Sequence, residues 1–303
     1  MDKKVSIIIP TYSRPDNLCR AIDSVLDQTY KPIEIIVVDD NGKGSDYQIE
    51  TEVRLSSYIK SGKITYICHD VNKNGSAARN TGFKVSSGEY INFLDDDDTF
   101  EKDKIATQVA KLESVSDDYG ACYCWRNTVI DGKIKEICRF LEEGDLRDSY
   151  LMRNVYFNTS SILFRRHVLE ELNGFDDTFI RHQDWEIMMR FWRKYKITVV
   201  TGHPLMNKNI SKVKPALVGK KWLIPVKEKF LHEFSGDILS LPHGKLIMGN
   251  NYFDCALNAI LNFDFVVCYK YLKKTYRYKS FELNDIVKLM RFFLRKIKKS
   301  IIN

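Results

Sequence analysis

Ile33-Glu34-Ile35-Ile36-Val37-Val38-Asp39-Asp40 is a nearly continuous run of branched apolar residues closed by two carboxylates. A strand with one wet face would alternate apolar and polar residues. This run does not, so it reads as a strand (Ile33 to Val38) buried on both faces of a parallel sheet. A parallel sheet needs crossover segments, and the flanking sequence supplies them. Val5 to Ile9 is a second apolar strand. After it, Ser13-Arg14-Pro15 reads as a helix start, with Ser as cap and Pro in the first turn. Leu18, Ile22, Val25 and Leu26 then share one helical face. Further on, a helix is expected over Ser45 to Lys60, a strand over Lys63 to Cys68, and a helix from Asn74-Gly75-Ser76 to Val85. A strand over Tyr90 to Leu94 and a helix over Glu101 to Ser114 complete the series. This β-α-β-α order predicts an α/β fold, a doubly wound and mostly parallel sheet with right-handed crossovers.

The later sequence is mixed. Ala121 to Trp125 and Val129 to Phe140 read as strands, with a hairpin turn at Asp131-Gly132. Ser160 to Phe164 reads as a short strand, Asp184 to Tyr195 as a helix, and Ile197 to Thr201 as a strand. From about residue 215 the pattern is helical and rich in aromatics. The expected division is an α/β domain over 1–210 and a helical, basic region over 211–303.

The chain has 303 residues, 44% hydrophobic and 29% charged, which is a globular composition. No apolar run is long enough to cross a bilayer. The apolar stretch at Val5 is too short for a signal peptide and meets Pro10 and polar residues, which points to a cytoplasmic protein. The seven cysteines are odd in number and lie in expected helices and strands, as free buried thiols do in a reducing compartment. Cys122 and Cys124 share a strand face, but no second Cys/His pair stands at zinc-finger spacing.

Two strand ends carry the chemistry. The strand ending at Leu94 runs into Asp95-Asp96-Asp97-Asp98. Adjacent carboxylates repel, so the run is either fully solvated or neutralised by a cation. Ligands of open α/β sheets bind beyond the carboxyl ends of the strands, and hard oxygen ligands suit Mg2+ or Mn2+. Asp39-Asp40 close the neighbouring strand in the same direction. They either meet a ribose or base, or cap the turn at Asn41-Gly42. Asn74 to Gly82 opens a helix with small residues and Arg79. A phosphate can approach such a backbone, and tight packing explains it equally. Asp184 stands at a helix start, as an N-cap or as a general base.

Taken in order, the motifs decide. Val5-Ser6-Ile7-Ile8-Ile9-Pro10-Thr11-Tyr12, Glu34 to Asp40, Ala77 to Gly82, Gly88 to Asp98, Gly174-Phe175-Asp176 and Gln183-Asp184-Trp185-Glu186 resemble the family-two glycosyltransferases of the GT-A fold, over about residues 1–205. The resemblance implies inverting transfer from a nucleotide-diphosphate sugar, most often a UDP-sugar. It implies that Thr11 and Tyr12 line the nucleotide pocket and that Asp40, with Asp39 beside it, recognises the base. Arg79 would help hold the nucleotide. Asp95-x-Asp97 matches the D-x-D signature, with Asp96 between, Asp97 as the direct metal ligand and Asp95 as its companion. Asp184 matches the aspartate that deprotonates the acceptor hydroxyl. Two positions depart from the family pattern: Ser13 stands for Asn, and Gln183 for Glu. The Gln-x-x-Arg-Trp motif and membrane helices of the family's polymer synthases are missing from the sequence, which implies one sugar per encounter.

The net charge of +7 is concentrated in the tail. Beyond residue 269 only Glu282 and Asp285 oppose a series of Lys and Arg. Ile286, Leu289, Met290, Phe293, Ile297 and Ile301 share one helical face, and Lys288, Arg291, Arg295 and Lys298 another. That pattern favours a helix lying on an anionic membrane surface, at the inner face of the cell membrane, over a helix packed on the protein with a solvated basic face. A lipid-linked or glycan acceptor agrees with the first. No nucleic-acid-binding module accompanies the tail. A sugar nucleotidyltransferase would carry a Gly-rich loop with Arg and Lys after strand one, and Pro10-Thr11-Tyr12-Ser13 is not one. A non-catalytic sugar-nucleotide-binding or membrane-associated protein has no need of both Asp97 and Asp184.

Overall fold

The computed structural model describes residues 3–210 and 222–302, with side chains through Phe292. In chain order the first elements are β1 (Val5–Thr11), α1 (Pro15–Leu26), β2 (Ile33–Asp39), α2 (Asp46–Lys60), β3 (Thr65–Cys68), α3 (Gly75–Val85) and β4 (Tyr90–Phe93). Then come β5 (Thr99–Phe100), α4 (Lys104–Glu113), β6 (Tyr119–Cys124), β7 (Arg126–Ile130), β8 (Lys133–Cys138) and α5 (Arg147–Leu151). β9 (Ile162–Arg165), α6 (Arg166–Glu171), α7 (Gln183–Phe191), β10 (Lys196–Val200) and β11 (Met206–Ile210) follow. The chain continues in α8 (Leu223–Glu233), α9 (Ser235–Leu239), α10 (Gly244–Leu261), α11 (Phe265–Tyr276) and α12 (Leu283–Ile302).

The chain divides into two compact units. One comprises residues 1–146 and 155–213, and the other residues 147–154 and 214–303. The first unit holds a seven-stranded sheet in the order β10-β6-β9-β4-β1-β2-β3. Only β9 runs antiparallel to its neighbours, β4 and β6. The expected mostly parallel α/β sheet is therefore present. The central strands are apolar on both faces, as Ile33 to Val38 required: Ile7, Ile8, Ile9, Val37 and Val38 have no exposed surface. Each such side chain contributes about 1.5–3 kcal/mol on burial. α1 lays Leu18, Ala21, Ile22 and Val25 against this sheet. α3 comes so close that a Cβ on Gly82 would lie 2.4 Å from Ile8 Cγ2, so tight packing is one reason for its small residues.

Several local expectations are corrected. Ser13 is not the cap of α1. Its backbone is left-handed (φ 56°) and its N–H donates to Asn41 Oδ1 at 2.7 Å, so Arg14 takes the cap position without a side-chain bond. The helix expected from Glu101 begins at Lys104, because Thr99–Phe100 pair as β5 with β11 and the Glu101 N–H donates to Leu205 O. Arg126–Asn127–Thr128 join β7, whose hairpin to β8 turns at Asp131 and Gly132, both with positive φ. The result is a second sheet, β5-β11-β7-β8, in the same unit.

The second unit is helical among the described residues. Cys255, Ala256, Ala259, Ile260, Cys268 and Tyr271 form its core, and Leu289 of α12 packs against them. Asp285 is buried and pairs with Lys279 at 2.8 Å. Ile286 and Met290 stay exposed. The single apolar stripe expected along α12 is thus divided, with Leu289 serving the core. Phe293, Arg295, Ile297, Lys298 and Ile301 lie outside the described side chains. Among the described residues no helix is long and apolar enough to cross a membrane. All seven cysteines are free.

Candidate active site

β1, β2 and β4 are parallel, so their carboxyl ends meet along one edge of the first unit's sheet. Thr11, Asp39 and the aspartate run all emerge there. After Leu94 the run turns back on itself, with Asp98 N–H donating to Asp95 O at 3.0 Å. The turn sorts the four side chains. Asp96 is fully buried, and Thr11 Oγ1 donates to its Oδ2 at 2.8 Å. Asp98 is 2% exposed and accepts from Asn158 Nδ2 at 2.9 Å, Ser160 Oγ at 2.8 Å and the Asn209 N–H at 3.2 Å. Asp95 and Asp97 are more exposed, at 32% and 14% of their side chains. The Asp96 carboxylate faces inward and braces Thr11. Burial raises the pKa of Asp96 to about 7, against the lowering effects of Arg14 and Thr11. Burial together with Asp95 and Asp97 raises Asp98 to about 7 as well.

Carboxylate oxygens of Asp95, Asp97 and Asp98 lie within 4.8 Å of one another. This is a small set of hard oxygen donors, and it fits Mg2+ or Mn2+ in chemistry and spacing.

Asp40 is buried and surrounded by donors. The N–H groups of Lys73 and Asn74 reach it at 2.7 and 2.9 Å, and Asn72 Nδ2 at 2.9 Å. His69 Nδ1 lies 2.8 Å from its Oδ1, and the other ring nitrogen lies 2.8 Å from Thr81 Oγ1. Asp40 therefore fixes the loop leading into α3. Asp39 accepts from the Asn41 N–H at 2.9 Å and from the Tyr66 hydroxyl at 2.7 Å. Turn formation thus employs both carboxylates, whatever else they contact. Tyr12 stands half exposed beyond β1.

α3 is capped by Asn74, whose side chain accepts from the Ser76 and Ala77 N–H groups. One turn in, Arg79 is 8% exposed. Its Nη2 donates to Asp95 Oδ1 at 2.7 Å and its Nη1 to Gln183 Oε1 at 3.0 Å. A Cβ on Gly75 would come within 3.0 Å of that Nη1, so glycine leaves room for the contact. Among the described residues the buried Nε of Arg79 has no hydrogen-bond partner.

Gln183 begins α7, and Asp184 follows it, partly buried in the first turn. Burial raises the pKa of Asp184. The N–H groups of Trp185 and Asp184, and the charges of Arg79 and Lys208, act in the opposite direction. The loop before α7 is fastened to α3: Asn80 Nδ2 donates to Phe175 O and Asp177 Oδ1, and Asn74 Nδ2 to Asp177 O. His182, left-handed at φ 59°, stacks on Trp185 at 5.0 Å. The geometry therefore joins Arg79, Asp95 and Gln183 directly, with Asp184 next to Gln183 in sequence and Asp97 two residues beyond Asp95.

Sequence reasoning missed four contributors. Arg14 pairs with Asp96 and Asp97. Asn158 and Ser160 hold Asp98. Lys208, on the unexpected strand β11, lowers the pKa of both Asp98 and Asp184. Only the charge of Arg14, beside the Thr11-Tyr12 motif, was a signal visible in the sequence.

Residues 6–173 match the family described as Glycosyl transferase family 2, and the chain belongs to that family. The amylovoran biosynthesis glycosyltransferase AmsB of Erwinia amylovora is 31% identical over 212 residues, covering 68% of this chain and 69% of that protein. The chain spans under a fifth of the length of four further relatives named glycosyltransferases. Among solved structures, Staphylococcus aureus TarS 1-349 in complex with UDP-GlcNAc has a TM-score of 0.58 at 16% identity, covering 90% of each chain. The mannosyltransferase PcManGT of Pyrobaculum calidifontis, in complex with GDP-Man and Mn2+, has a TM-score of 0.57 at 16% identity, covering 99% of this chain and 88% of that one. At such identities the likeness establishes the fold, which is the GT-A type.

Proposed function

We propose that the protein is an inverting, cation-dependent glycosyltransferase. It moves a single sugar from a nucleotide-diphosphate sugar, with UDP the favoured nucleotide, to a hydroxyl of a glycan or lipid-linked acceptor in surface polysaccharide synthesis. The observation that carries this is Arg79. One buried guanidinium holds Asp95, on the donor side, and Gln183, the neighbour of Asp184, on the acceptor side. AmsB is named for amylovoran biosynthesis, TarS was solved with UDP-GlcNAc, and PcManGT with GDP-Man and Mn2+. These names support the substrate class.

Asp97 and Asp95 would hold Mg2+ or Mn2+, with Asp98 behind them. The cation, when bound, offsets charge on the departing diphosphate. Thr11, Tyr12, Asp39 and Asp40 shape the nucleotide side, the last through the loop it fixes. Arg79 helps to hold the nucleotide from its place beside Asp95. Asp184 takes the proton as the acceptor oxygen attacks the anomeric carbon. The carbon–phosphate-oxygen bond breaks as the new bond forms, and the nucleoside diphosphate leaves with the electron pair. One displacement inverts the anomeric carbon. Burial raises the pKa of Asp184, which makes it a stronger base than a free aspartate. We place the enzyme at the cytoplasmic face of the membrane, where Lys288, Arg291, Ile286 and Met290 of α12 are exposed.

A panel of UDP- and GDP-sugars tests the reading, by thermal stabilisation and by nucleotide release with Mn2+ or Mg2+. Stabilisation and cation-dependent release with at least one sugar nucleotide support it. No response to any member would refute it.

A further inference from the structure

Two arginines compensate three of the four adjacent aspartates, and they are held very differently. Arg79 is buried and fixed on two sides by Gly75 O and Gln183. Arg14 is 44% exposed, at the cap position of α1, next to the left-handed Ser13. Its Nη1 donates to Asp97 Oδ2 at 2.6 Å. Its Nη2 lies 2.7 Å from Asp96 Oδ1, but that oxygen has no well-directed hydrogen bond. All four aspartates act on the guanidinium, and together they hold it charged against the opposing effect of burial.

A guanidinium and a divalent cation cannot both take the same carboxylate oxygen. Like charges at such separations repel, and the low dielectric beside a buried Asp96 strengthens that repulsion. An exposed arginine on a loop is also the member of the pair that can move. We propose that Arg14 is an exchangeable internal cation. It occupies Asp97 while the donor is away, disfavours capture of a free divalent ion, and yields Asp97 when the ion arrives with the donor diphosphate. The released guanidinium then stands beside a ligand of high negative charge and pairs with it. Arg14 is in this sense a positioning residue for the donor complex. The inference rests on reading Asp97 as a cation ligand.

Opposite signs in two binding measurements test it. Free Mn2+ is titrated by electron paramagnetic resonance against wild type, Arg14→Gln, Arg14→Lys and Asp97→Asn, first alone and then with UDP present. Without nucleotide, Arg14→Gln should bind Mn2+ about fivefold more tightly, the scale of one exposed ion pair removed from competition. With Mn2+ present, its UDP affinity, by calorimetry, should be about fivefold weaker than wild type, for the same reason. Arg14→Lys keeps the charge and should stay close to wild type in both. Circular dichroism melts confirm that each variant is folded, and Arg14→Lys carries the test if the glutamine variant is not. A lysine variant whose UDP affinity in the presence of Mn2+ falls about fivefold would then contradict the exchange. Mn2+ binding by folded Arg14→Gln that is unchanged, weaker or undetectable overturns the inference. If Asp97→Asn loses Mn2+ while Arg14→Gln binds it as wild type does, the cation site stands and only the exchange fails. If Asp97→Asn binds Mn2+ like wild type, the reading of Asp97 fails instead.

Discussion

Arg79 Nη1 donates to Gln183 Oε1 at 3.0 Å, where the family pattern has a glutamate. A neutral partner leaves the arginine's charge to Asp95, to which Nη2 donates at 2.7 Å. Gln183→Glu should therefore draw charge from Asp95 and add a carboxylate beside Asp184. Both effects disfavour ionised Asp184. The acid limb of the pH–rate profile should move to higher pH in this variant, with the melting temperature little changed. An unmoved limb would mean that the Arg79–Gln183 contact is packing alone.

Asp184 sets the sign of the pH dependence. A base works deprotonated, and burial raises this one above the ordinary value of 3.8. Turnover should rise with pH through that raised pKa, with the acid limb above the free-aspartate range. Lys208 lowers the same pKa. Lys208→Met should move the limb further upward. A limb at or below 3.8 in the wild type would disconnect Asp184 from the rate.

Asp97 sits in a self-repelling group and pairs with the exposed Arg14. Asp97→Asn should keep the fold and lose most cation-dependent nucleotide release. Ser160→Ala should act through Asp98, which loses one of its donors at 2.8 Å. Asn158 still donates to the same oxygen, so a loss of about 1 kcal/mol, the net worth of one hydrogen bond, is expected by denaturant titration. Full release in excess chelator would contradict the assignment of Asp97.

Much of this was legible in the sequence, for identifiable reasons. Continuous apolar strands such as Ile33 to Val38 have few alternatives, so the parallel sheet could be read directly. Asp95, Asp97 and Asp184 were legible through the order of the motifs, since a carboxylate at a helix start such as Asp184 is otherwise explained as a cap. β11 was not legible. Met206-Asn207-Lys208-Asn209-Ile210 is largely polar, and it is a strand only because β5 and β7 pair with it from distant sequence. Lys208 was hidden with it. Arg14 was hidden for another reason: side-chain direction at a cap is set by the turn, here by Ser13 and Asn41. The tail pattern could not separate membrane from core, and Leu289 shows that one helix face serves the core in part.

For the tail, deletion from Asp285 would break the Lys279–Asp285 pair and strip Leu289 from the core. Charge reversal is cleaner. Lys288→Glu with Arg291→Glu should weaken binding to phosphatidylserine vesicles by about 1 kcal/mol per residue removed, and more for the reversed charges. Rising salt should weaken the wild type similarly. Vesicle sedimentation unchanged by the double variant would leave α12 as a structural helix only.

The central claim is a direct displacement in which Asp184 accepts the acceptor's proton. The most direct measurement is steady-state sugar transfer or donor hydrolysis by Asp184→Asn beside its UDP affinity. The substitution keeps shape and removes proton acceptance. Turnover should fall about 100-fold or more, the usual scale of general-base catalysis, with UDP affinity near the wild-type value. Near-normal turnover in the folded variant would contradict the account and leave Asp184 as a helix-terminal residue.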